Sequence, residues 1–100
     1  MINEATYHIK QEIVNQIGLQ PADIPAGSQL ATNARVYRFP YMEHVFVLES
    51  DLYGNPMPEG SCFLAVQGKH GLMGRRLRVE KLRTCSAEEI QKMAQGISEG

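Results

Sequence analysis

The stretch GKHGLMGRRLRVEKLR, residues 68–83, gathers Lys69, Arg75, Arg76, Arg78, Lys81 and Arg83 against Glu80 alone. Guanidinium and ammonium groups at this density bind anions, either phosphates along a nucleic acid or carboxylates on an acidic protein. Segment 61–85 holds this cationic surplus, while the rest of the 100-residue chain is acidic and the whole nets −1. A nucleic-acid-binding domain commonly has a pI above about 9, whereas the value here is about 6.3. An acidic protein partner is therefore preferred over nucleic acid, with Lys69, Arg75, Arg76, Arg78 and Arg83 as the contact residues. A rival account is purely structural. Charged side chains on an edge strand block edge-to-edge pairing, and these arginines could serve that end alone.

A second run, RVYRFPY (35–41), interleaves cations with aromatic rings. Single-stranded nucleic acid stacks on such rings, and arginine adds cation–π contacts. Strands favour the same residue types, so Tyr37 and Phe39 are expected in the core. Arg35, Arg38 and Tyr41 remain as secondary contacts. Within the basic run, Gly68-Lys69-His70-Gly71 resembles the GxxG loop of KH domains, which clamps a nucleic-acid backbone. That loop joins two helices, whereas a strand-like CFLAV precedes this one. A hairpin tip, in which glycine supplies positive φ, is the preferred reading.

Catalytic arrangements are weaker. His44 lies in a strand-like run flanked by Glu43 and Glu49, and alternation sets it with Phe46 and Leu48, away from Glu43, as a half-buried histidine. His8 is expected at the edge of a helix, and His70 sits among glycines, where catalytic geometry is hard to hold. Ser61 followed by Lys69 resembles serine–lysine peptidase segments but lacks their surrounding pattern, so Ser61 is assigned to the end of a turn. Cys62 and Cys85 form no Cys-x-x-Cys pair, and the histidines lack ligand spacing. The expectation is a non-catalytic binding module without metal or cofactor. The remaining alternative is a ligand or enzymatic pocket between the sheet and the first helix, with His44 or Tyr37 pointing inward.

The elements that position these residues follow from periodicity. Asn3 is a good N-cap, with Ile2 and Tyr7 as a hydrophobic staple. Ile9, Ile13 and Ile17, widened by Ala5 and Val14, form a helical stripe that Gly18 ends, with Leu19 folding back. The connection 19–33 contains Pro21 and Pro25 and needs anchoring by Ile24 and Leu30. Strands are expected at 34–39, 43–50, 62–67 and 75–83. The second is apolar on both faces at Val45–Leu48 and is expected to be central. Leu82 falls out of step, which implies a bulge. If the last two strands turn near Met73, Cys62 and Cys85 lie close to opposite each other. Ser86 and Glu89 make a capping box for a final helix with Ile90, Met93, Ala94 and Ile97 on its apolar face.

The order is α-β-β-β-β-α. It predicts a single α+β domain over 1–100, a four-stranded antiparallel meander with N- and C-terminal helices packed on one face. No run approaches the roughly 18 apolar residues that span a bilayer, and MINEATYHIK lacks the basic start and apolar core of a secretory signal. These features point to the cytoplasm, with no membrane partner and both thiols reduced.

Overall fold

The run VFVL becomes strand β3 (Val45–Leu48), and all four of its side chains are buried. In the computed structural model, which describes residues 8–25, 30, 35–69 and 71–99, β3 is the central strand of a five-stranded antiparallel sheet. The order is β1 (Gln20–Pro21), β2 (Val36–Arg38), β3, β4 (Ser61–Gly68) and β5 (Gly71–Arg78). Register pairs Tyr37 with Val47 and Val47 with Leu64, so one face collects Tyr37, Val45, Val47, Cys62, Leu64 and Val66. Three helices cover that face: α1 (Gln11–Ile17), α2 (Val79–Thr84) and α3 (Ala87–Glu99). Val36, Phe46, Leu48 and Ala65 face the other way, against Leu30, Ile24 and Leu52. Each large apolar side chain removed from water stabilises the fold by roughly 1.5–3 kcal/mol before entropy is counted. The central strand and the anchoring of the long connection by Ile24 and Leu30 are as the sequence predicted.

Three features differ from expectation. First, the sheet has a fifth strand, because Gln20 and Pro21 pair with Arg38 and Tyr37. Proline lacks a donor and suits a short outer strand. Second, α1 starts only at Gln11. Lys10 is extended (φ −61°, ψ 141°), and Ile9 enters the core from outside the helix. Asn3, Ile2, Tyr7 and Ala5 lie outside the described residues. The far end of α1 behaves as expected: Gly18 adopts φ 87°, and the Gly18 and Leu19 amides both donate to the Val14 carbonyl.

Third, the segment 75–83 is half strand and half helix. Strand β5 begins at Gly71 and ends at Arg78, and α2 follows at once. Val79 and Leu82, three apart, are both buried because one face of a helical turn carries them. Leu82 is thus out of step through a change of period and not through a bulge. The hairpin turns between Gly68 and Gly71, well before Met73, with Gly71 at φ 108°. Cys62 therefore faces Leu77, while Cys85 follows α2, and both thiols are free.

Helix α3 opens on the expected capping box. The Ser86 amide donates to Glu89 Oε1 at 2.8 Å, and the Glu89 amide donates to Ser86 Oγ at 3.2 Å. Ile90 and Ala94 are buried and Met93 and Ile97 partly so, which seats α3 on the helical face of the sheet.

Candidate functional site

Strand β5 is the sheet's outer edge, and its sequence GLMGRRLR alternates cations between the two faces. Arg75 pairs with Leu64 and shares the helical face, whereas Arg76 pairs with Phe63 and Arg78 with Ser61 on the opposite face. Lys69 stands at the tip beside the turn. Arg83 lies on α2, where its guanidinium donates to Glu80 at 2.9 Å. The five cations do not converge on one face. They straddle one edge, and among the described residues Lys69, Arg75, Arg76 and Arg78 have no ion-pair partner. The Arg78 guanidinium lies over Gly60.

Beside this edge runs a groove of about 610 Å³ between β5 and α3, lined by Met73, Gly74, Arg75, Lys92, Met93, Gly96 and Ile97. Its floor is apolar and its rim carries two cations. Lys92 is a part of this surface that the sequence did not reveal. The signal was present, since Lys92 adjoins Met93 on the stripe that packs on the sheet. Gly74 leaves the middle of the edge bare. A Cβ there would collide with the Phe63 ring and the Leu64 carbonyl, so packing inside the sheet requires glycine at this point.

The secondary contacts lie at the other side of the sheet. Strands β2 and β5 are three positions apart, roughly 14 Å at the usual strand spacing. Tyr37 and Phe39 are buried, so neither ring can stack on a base. Tyr41 is exposed. Arg38 shares a cavity of about 490 Å³ with Asp23 and Glu43, which sets carboxylates beside the cation. Arg35 leans toward Glu49 at 3.9 Å.

A second polar centre was not anticipated. Glu49, just past β3, is only 3 % exposed. The Ile9 amide donates to its Oε2 at 2.7 Å, His8 Nδ1 bonds its Oε1 at 2.8 Å, and the Tyr37 hydroxyl lies at 3.5 Å. Burial, followed by the Glu49 carboxylate, pushes the Tyr37 phenol above its ordinary pKa. Alternation could have located this centre, because Glu49 continues the buried series Val45, Val47. Its carboxylate ties segment 8–9 to the sheet, and this tie explains the late start of α1. A cavity of about 290 Å³ lined by Gln11, Pro21, Ala22, Arg35, Val36 and Tyr37 adjoins it. Of the two side chains expected to point into such a pocket, Tyr37 is there and His44 is not. His44 is exposed, in the turn before β3, because that strand starts one residue later.

Nucleophiles are poorly placed. Burial pushes the Cys62 thiol up to about 12, which keeps it protonated and unreactive. Ser61 and Lys69 flank opposite ends of β4, roughly 26 Å apart along an extended strand, so the serine–lysine arrangement does not form. The Gly68–Gly71 pair closes a hairpin between strands, which also removes the likeness to a KH loop. Among the described residues no three His, Cys, Asp or Glu side chains gather as a metal would require, and no helix is long and apolar enough to cross a membrane. No protein-family model, curated protein or solved structure matches the chain.

Proposed function

We propose that the protein is a non-catalytic binding module that engages an acidic partner protein through the basic β4–β5 hairpin. The observation that carries this reading is the set of cations, Lys69, Arg75, Arg76 and Arg78, that have no ion-pair partner among the described residues and line the sheet's outer edge with Lys92 beside it. Arg83 contributes less, because Glu80 already holds it. Nucleic acid fits this surface less well. Of the rings in the 35–41 run, Tyr37 and Phe39 are buried and Tyr41 alone is exposed, and cations on opposite faces cannot all meet one phosphate backbone. The proposed setting is the cytoplasm, where Cys62 and Cys85 stay as thiols.

Fluorescence anisotropy with a labelled glutamate-rich peptide and with mixed-sequence single-stranded DNA tests the assignment. The peptide should bind at least about tenfold more tightly at about 150 mM salt, and Arg76→Glu with Arg78→Glu should abolish its binding. A strand held through three or four phosphates would give a log–log salt slope of about −2 to −3. DNA binding tighter than about 1 μM with that slope, lost in the double variant, would overturn the proposal.

A further inference from the structure

We infer that the acidic partner enters as an extended strand added to the β5 edge, with one of its apolar side chains seated in the groove between β5 and α3. This deepens the proposed function and rests on it. Hydrogen-bond phase fixes which β5 backbone groups face outward. The Val79 amide donates to the Gly60 carbonyl at 2.9 Å, and on the other side of β4 the Gln67 amide donates to the His44 carbonyl at 3.0 Å. Antiparallel ladders alternate bonded and non-bonded pairs with a period of two. Counting back from Val79, the residues that bond β4 are Leu77, Arg75, Met73 and Gly71. Counting from Gln67 gives the same phase, because Gln67, Ala65 and Phe63 bond β3 and leave Val66, Leu64 and Cys62 for β5. Leu72, Gly74 and Arg76 therefore turn their N–H and C=O groups outward, where no strand among the described residues meets them.

Charge selects the occupant. A strand laid along this edge sends alternate side chains to opposite faces. One set would lie beside Arg75 and Lys92, the other beside Arg76 and Arg78, so acidic residues on both faces of one strand find cations. A flat acidic surface would reach only one set. A second copy of this chain is disfavoured, since β5 against β5 brings six arginines together. Between the cations the groove offers Met73, Met93 and Ile97 to an apolar side chain. Main-chain bonds with alternate side-chain pockets are the known physics of strand addition.

The test separates backbone pairing from charge. Arg76→Gln removes the charge and keeps the outward amide, while Arg76→Pro removes both. Proline is tolerated on an edge where the N–H faces solvent, and a melting curve checks that the variant is folded. The probe is a short labelled run of glutamates with one central valine, so that both faces of the strand carry carboxylates, with a control of equal charge interrupted by prolines. Arg76→Pro should weaken binding of the unbroken peptide about tenfold beyond Arg76→Gln. Methylating the peptide's alternate amides should abolish binding in one phase and spare it in the other, a readout independent of any protein variant. Equal losses in both Arg76 variants, equal effects of both phases, or equal binding of the proline-interrupted control would overturn strand addition and leave the acidic-partner reading standing. Failure of both peptides to bind would overturn both. Concentration-dependent dimerisation that the peptide cannot reverse would assign the edge to self-pairing and also overturn the inference.

Discussion

Glu49 and the β5 arginines treat charge in opposite ways. The carboxylate is buried and meets the Ile9 amide, His8 and Tyr37 within the same chain. The guanidiniums of Arg75 and Arg76 stand in solvent without an ion-pair partner among the described residues. A buried ion without partners costs several kcal/mol, so a charge can be kept inside only if the fold answers it. An exposed cation costs almost nothing and leaves its interaction to be made elsewhere. The buried centre is therefore an anchor that closes the N-terminal segment on the sheet, and the open edge is where the proposed partner would add free energy.

The largest expected effect falls on the anchor. Glu49→Ala strands the buried Ile9 amide and should cost roughly 1–3 kcal/mol in urea unfolding. A loss as small as that of a surface substitution would remove Glu49 from that role. Gly74→Ala comes close behind, at roughly 1–3 kcal/mol, because a methyl group would meet the Leu64 carbonyl as well as the Phe63 ring, so the β4 backbone itself must shift. Wild-type stability in this variant would mean that the edge is bare for binding alone and not for packing. Ser86→Ala should cost about 1 kcal/mol by removing the Oγ acceptor of the Glu89 amide, with the unfolding midpoint as the readout. Arg75→Ala and Arg76→Ala should each stay within about 0.5 kcal/mol. A larger loss at either would show that the edge cations serve the fold, and the contrast with Glu49 would collapse.

The smallest effect at neutral pH concerns Tyr37. Its phenol is raised in the folded protein, first by burial and then by Glu49. The raised folded value makes this contribution complete below the unfolded tyrosine pKa of about 10 and lost as pH rises through the folded value. In an ultraviolet titration Tyr37 should ionise above the ordinary tyrosine range, and Tyr37→Phe should delete that last step. If the last step survives the substitution, the burial-plus-Glu49 account of Tyr37 fails.

Local rules made much of this fold legible. The two-sided run Val45–Leu48, the left-handed stop at Gly18 and the Ser86–Glu89 capping box each state their structure within a few residues. What remained hidden depends on distant partners. Gln20 and Pro21 carry no strand signal of their own and become β1 only because β2 lies beside them. The series Ile9, Ile13, Ile17 reads as one helical stripe from Asn3, but the Ile9 amide is held by Glu49, 40 residues away, and the helix begins at Gln11. At Arg78 the period changes from two to 3.6 without a glycine or proline to mark it, so Leu77 and Val79 looked like one continuing strand. At the candidate site the cations were legible as a cluster in sequence. Their division about an edge needed the register, and Lys92 needed the packing of α3.

The most direct test of the account is to map where an acidic peptide touches the protein. Uniformly ¹⁵N-labelled protein, titrated with the glutamate-run peptide that carries one central valine, should show amide shift changes concentrated in Leu72–Arg78 and along Lys92–Ile97 of α3. Leu72, Gly74 and Arg76 should move most and gain protection from hydrogen exchange, while Ile9, Tyr37 and Glu49 stay still. Changes centred on Glu49 and its neighbours, with β5 unmoved, would contradict the claim that the open basic edge is the binding surface.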